Sequence, residues 1–96
     1  MNKIEKARTT INKIDKEIAL LFQERMKAVE EVISYKIENN FPIFDEKREK
    51  EVIQKNCSLI QEEKYKKYYI EFIQMMMDIS KNYQKDILQG QKNEEI

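Results

Sequence analysis

The chain has no histidine, and only one cysteine, one proline and one glycine in 96 residues. Each scarcity removes a class of answer. Without histidine there is no imidazole acid–base catalyst, no histidine-dependent triad and no HExxH metal site. Cys57 alone makes neither an intramolecular disulfide nor a multi-cysteine zinc site. Gly and Pro punctuate turns and strands, so one of each argues for a few long helices joined by few turns. No sign of charge prevails: 18 basic residues face 18 acidic ones, for a formal net charge of zero. That balance leaves no electrostatic footprint for nucleic acid or an anionic membrane. Long apolar runs are missing too. The longest, Ile18 to Phe22, is five residues, against the ~20 that span a bilayer. The opening MNKIEKARTTINKID is charged throughout and lacks the apolar h-region of a signal peptide, so the expected location is the cytoplasm.

What the chain does have is helical periodicity. Ile4, Ala7, Ile11, Ile14, Ile18 and Leu21 alternate by three and four, a heptad seam that predicts a long amphipathic helix. The pattern continues through Val29, Val32 and Ile33 to Asn39-Asn40-Phe41-Pro42. Pro42 disfavours helical geometry at the residue before it, so the first helix should end near Asn39 or Asn40. A helix of roughly 35 residues is about 52 Å long, whereas a globule of this size has a radius of gyration of about 12–13 Å. Such a helix cannot be buried by its own chain, and a partner is implied. Asp45 is the expected N-cap of a second helix running to about Cys57. The stretch from Cys57 to Glu63 is ambiguous, with Ser58 or a neighbour a candidate start for the third helix. That helix is expected from about Glu62 to Leu88, with Tyr69, Phe72, Ile73, Met76, Met77, Ser80, Gln84 and Ile87 on one broad face. Gly90 stands where a C-terminal stop belongs. The expectation is thus an all-α fold of three helices: one domain over residues 1–90, followed by a polar, frayed tail over 91–96.

One feature breaks the ordinary amphipathic pattern. The seam spacing Ile14, Ile18, Leu21 arrives next at Arg25, and then at Val29, Val32 and Lys36. At about 100° per residue, Arg25 and Lys36 lie only about 20° apart around the axis and about 16 Å apart along it. A buried unpaired charge is costly, so these cations should meet acidic partners or an anionic ligand. Periodicity alone leaves two readings: a site for an anion, or side chains that snorkel to solvent or pair with nearby Glu residues. Arg8, beside the Ile4–Ala7–Ile11 seam, has the same two readings. Asp45-x-x-Arg48-Glu49 reads either as a capped, salt-bridged helix start or as part of that site. Ser80 and Gln84, one turn apart, read as a buried polar pair or as binding groups.

Taken together these positions resemble the all-helical chorismate mutases over residues 4 to about 88. The resemblance runs through Ala7-Arg8-x6-Asp15, Leu20-Leu21-x3-Arg25, Val29-x2-Val32-x3-Lys36, Pro42-x2-Asp45-x2-Arg48-Glu49 and Ser80-x3-Gln84. It departs in a connection before the third helix about one residue shorter than in the best-known member. It departs also at Lys81, which stands where the family often has an apolar wall residue; that lysine either points outward or alters substrate affinity.

The resemblance implies an interlocked helical homodimer with two sites, and a cofactor-free, metal-free rearrangement of chorismate to prephenate in aromatic amino acid biosynthesis. It implies that Arg25 and Arg8, the latter supplied in trans, clamp the substrate carboxylates. Lys36 and Gln84 donate to the ether oxygen, and Glu49 accepts from the ring hydroxyl with Asp45 assisting. Arg48 supports the clamp, Ser80 anchors a carboxylate, and Val32, Val52 and Met77 form apolar walls. Geometry fits the trans assignment, since Arg8 lies about 25 Å along the helix from Arg25 and about 100° off its face. Two alternatives carry other functions: an isochorismate–pyruvate lyase of the same fold, and a non-catalytic helical dimerisation module. The Asp45-x-x-Arg48-Glu49 element favours the mutase over the lyase.

Overall fold

The structure, a computed structural model, describes residues 1–94, with side chains through Gln91. Three helices make up the fold: α1 (Lys3–Glu38), α2 (Glu46–Leu59) and α3 (Glu63–Glu94). No strand occurs among the described residues. No helix among them is long and apolar enough to cross a membrane.

Local chemistry accounts for most of the helix ends. At the start of α1 the Asn2 side chain accepts from the Glu5 backbone N–H at 2.9 Å, an N-cap with an acidic residue three positions on. The end of α1 is a Schellman motif. Asn40 takes a left-handed backbone, φ 56°; Phe41 N–H donates to Lys36 O at 2.8 Å and Asn40 N–H to Ile37 O at 3.4 Å. The Phe41 ring closes the motif edge-on against Tyr35, centroids 5.7 Å apart. Asn40 therefore stops the helix, and Pro42 keeps the chain from resuming it. Asp45 caps α2 as its sequence context predicts, its carboxylate accepting from Arg48 N–H at 3.0 Å.

The far end of α3 differs from expectation. The helix continues through Gly90 to Glu94, and Gly90 does not take a positive φ. A single glycine costs a helix only about 1 kcal/mol relative to alanine, too little to stop one flanked by good helix formers. Residues 91–94 of the expected frayed tail are helical; residues 95 and 96 lie outside the described residues.

Helix α3 is the common partner: α1 and α2 each pack on it and not on each other. The side-chain pairings Arg25 with Ser80 and Lys36 with Gln84 mean that α1 and α3 run in the same sense. Glu49 with Lys81, and Asn56 with Tyr69, run α2 back against them. The core is small. Val29, Ile33, Ile73 and Met77 are the buried apolar side chains, with Ile33 only 1% exposed. The seam of the first half of α1 is left largely uncovered: Ile4, Ile11, Ile14 and Ile18 are 44–54% exposed. The chain measures 59 × 27 × 15 Å with a radius of gyration of 17.3 Å, well above the about 12–13 Å of a self-contained globule of this length.

Candidate active site

The site lies where the second half of α1, the start of α2 and the second half of α3 meet. Arg25 and Lys36, about 16 Å apart along their helix, face two α3 residues that are only about 6 Å apart. The two long side chains converge on Ser80 and Gln84 from opposite ends. The Arg25 guanidinium donates through Nη1 to Ser80 Oγ, and the Ser80 hydroxyl donates to the Met76 carbonyl at 2.8 Å. The hydroxyl is thereby fixed with a lone pair toward Arg25. Lys36 Nζ donates to Gln84 Oε1 at 3.1 Å and to the Ile43 carbonyl at 2.7 Å. These bonds turn the Gln84 carbonyl oxygen toward the ammonium and leave its amide nitrogen as a donor. One of the three Lys36 protons is left over as well. Ser80 and Gln84 are each 6% exposed, so their positions are set by packing.

The cavity between these groups is about 160 Å³ and is lined by Arg25, Val29, Val32, Lys36, Ile43, Asp45, Arg48, Glu49, Val52, Met77, Ser80, Lys81 and Gln84. That volume is below the ~300 Å³ at the lower end of drug-sized pockets, so it suits one compact molecule. Four cations and two carboxylates give the lining a net charge of +2. Burial lowers the pKa of the Arg25 guanidinium, and Arg48 close by lowers it further. An anion between the two cations would offset both effects. Burial likewise lowers the pKa of Lys36, opposed by Asp45 and then Glu49, both of which favour its charged form.

Every site residue expected from the sequence lines this cavity except Arg8, which is exposed on the first half of α1. Three further residues line the cavity: Val29, Ile43 and Lys81. Val29 was legible, since it falls on the Arg25–Lys36 stripe. Ile43 contributes a backbone carbonyl, for which a side-chain pattern holds no signal. Lys81, for which sequence left an outward position open, turns inward: its ammonium sits 2.9 Å from Glu49 Oε2 and 3.4 Å from Asp78 Oδ1. It also lies 4.9 Å from the centre of the Phe44 ring.

Two other hollows mark the surface. One of about 590 Å³ runs between α1 and α3, lined by Asp15, Arg25 and apolar residues including Ile18, Phe22, Phe72, Met76 and Ile79. A shallower one of about 750 Å³ sits at the α2–α3 turn beside Cys57. There Lys66 is already paired with Glu63 at 3.0 Å, and none of the matched polar residues reaches it.

Comparison with known proteins gives the family of the chain. The bifunctional chorismate mutase/prephenate dehydratase of Buchnera aphidicola subsp. Acyrthosiphon pisum (strain APS) is 39% identical to the chain over 82 residues, 84% of its length. The chain spans 21% of the length of that relative. No solved structure shows significant similarity. Residues 7–85, which include Arg8 and Gln84 and all that lies between, match the family described as chorismate mutase type II. The chain belongs to the chorismate mutase type II family.

Proposed function

We propose that the chain rearranges chorismate to prephenate, working as an interlocked homodimer in which each site receives Arg8 of the partner subunit. The observation that carries this reading is the Lys36–Gln84 pair, 3.1 Å apart, inside a cavity of net charge +2. Chorismate is a dianion with two carboxylates, an ether bridge and a ring hydroxyl. In its rearrangement the ether C–O bond breaks as a C–C bond forms within the same molecule. The step calls for no nucleophile, metal or proton shuttle. What accelerates it is confinement of a flexible dianion in its compact reactive shape, together with donors aimed at the negative charge that grows on the ether oxygen.

The residues divide that work. Arg25, oriented by Ser80, and Arg8 of the partner subunit clamp the carboxylates, a task suited to the planar guanidinium fork. Arg48 adds positive charge beside Arg25. Lys36 through its remaining proton, and Gln84 through its amide nitrogen, donate to the ether oxygen. Glu49, with Asp45 nearby, accepts from the ring hydroxyl. Val32, Val52 and Met77 supply apolar wall, which keeps the local dielectric low and those donors strong.

The dimer reading rests on the half-exposed α1 seam and on the apolar groove of about 590 Å³ beside it. A seam and a groove on one chain are the two halves of a self-complementary interface. Sedimentation at micromolar concentration should give about twice the 11.7 kDa chain mass, and a fully active monomer would overturn the architecture.

The activity is tested by following the absorbance of chorismate with identification of the product. Prephenate is the expected product. Salicylate and pyruvate from isochorismate, with no prephenate from chorismate, would move the chain to the lyase of the same fold. Absence of both reactions would leave a helical dimerisation module.

A further inference from the structure

Lys81 is the one ionised group of the cavity that the proposed chemistry leaves unused. Its ammonium bridges two helices, meeting Glu49 Oε2 of α2 at 2.9 Å and Asp78 Oδ1 of its own helix at 3.4 Å. The Glu49 contact is the shorter, and both of its side chains are largely covered, at 21% exposure for Lys81 and 18% for Glu49. The Phe44 ring, 4.9 Å away, covers the ammonium from the α1–α2 connection. These contacts fix where the charge sits: on Oε2 of Glu49.

A glutamate in this cavity poses a problem for a dianionic substrate. Its carboxylate is useful as an acceptor for a hydroxyl, yet its charge repels the carboxylates that Arg25 and Arg48 attract. An ammonium bound to one Glu49 oxygen answers both needs. It offsets the charge, and by occupying Oε2 it holds the side chain so that Oε1 is the oxygen left to accept. We infer that Lys81 is a positioning residue for substrate recognition, acting through Glu49 to present one neutralised, oriented acceptor to the hydroxyl of the substrate. The inference rests on the chorismate reading above. The hydrogen bond to Glu49 favours the charge of Lys81 more than burial opposes it, and its pKa is raised overall, so the ammonium stays charged throughout the neutral range.

The test is a double-mutant cycle on chorismate turnover with Lys81→Met, Glu49→Gln and the pair. Methionine keeps the unbranched stem and the helix propensity, and thermal melting of each variant checks folding. Lys81→Met should raise KM about tenfold with kcat nearly unchanged, the scale of one lost charge-assisted hydrogen bond. Lys81→Arg should restore most of the affinity. In the Glu49→Gln background the same Lys81→Met change should cost little further, because the group it acts through is already altered. Lys85→Met, one turn further along α3 and exposed, controls for loss of a lysine charge in general. Additive effects of Lys81→Met and Glu49→Gln, or an effect of Lys85→Met as large as that of Lys81→Met, would overturn the inference while leaving the mutase reading in place. A wild-type protein that does not turn over chorismate would overturn the mutase reading itself, and the inference with it.

Discussion

Lys36→Met removes the ammonium that ties three parts of the site together. Two of its protons are spent on Ile43 O at 2.7 Å and Gln84 Oε1 at 3.1 Å, which leaves the third for the ether oxygen in the proposed reaction. Loss of one donor aimed at developing charge lowers turnover by about 10²–10³. Here the second donor suffers as well, because the Gln84 amide loses the bond that fixes which end faces the substrate. The expected loss in kcat is therefore at the upper end, about 10³. Lys27→Met, at an exposed position on the same helix, should leave kcat within about twofold, since surface substitutions seldom exceed 0.5 kcal/mol. The wild-type pH profile gives an independent reading. Burial lowers the pKa of Lys36 from the ordinary lysine value of 10.5, so kcat/KM should fall on the alkaline side below that value. Bound dianion favours the charged form, so kcat should hold to higher pH than kcat/KM. The sign for stability is opposite. Lys36 binds its proton less tightly folded than unfolded, so its contribution to stability is unfavourable at neutral pH and improves as pH rises through the lowered pKa toward 10.5. Loss of activity in that interval is thus not unfolding at Lys36. Steady-state kinetics with thermal melts across the same buffers measure both. Small, equal effects at positions 36 and 27, with no alkaline limb in kcat/KM, would refute the role given to Lys36.

Gln84→Glu should make activity acid-dependent, rising as pH falls, because burial raises a carboxyl pKa and only the protonated form donates as the amide does. Lys36 at 3.1 Å favours the ionised form and moves the rise to lower pH; a flat profile would place Gln84 outside the reaction. Mixing Arg8→Ala with Arg25→Ala tests the shared site: random exchange makes about half the dimers mixed, each with one intact site, so about a quarter of wild-type activity should return. Proven chain exchange with no recovery would refute supply of Arg8 in trans. Gly90→Ala should raise stability by up to about 1 kcal/mol with no change in activity, since an added Cβ meets nothing within 4 Å. A lowered melting temperature would show that a neighbour packs there.

Much of the molecule could be read from residue order because its determinants are local. The α1 seam and the Asp45 cap each depend on neighbours within one helical turn, so their spacing is their structure. The same holds for the Arg25–Lys36 stripe: a helix puts the two on one face whatever it packs against. Local rules also misled once, at Gly90, where a weak helix breaker was read as a stop and the surrounding helix formers prevailed. The end of α1 shows a finer limit. Pro42 marked the region, but the left-handed residue is Asn40, and the choice between adjacent asparagines turned on where Phe41 could reach Tyr35.

What tertiary structure alone decided is which side chains share a cavity. Ser80 and Gln84 are one turn apart on α3, while Arg25 and Lys36 are three turns apart on α1. Only the packing of α1 along α3 in the same sense brings the four together. Lys81 is the sharpest case, since helical spacing puts it next to Ser80 but leaves its direction open. Its inward turn follows from Glu49 on a different helix lying 2.9 Å away. A long flexible side chain goes where its counter-charge is, and in this fold that counter-charge comes from a residue 32 positions distant in the chain.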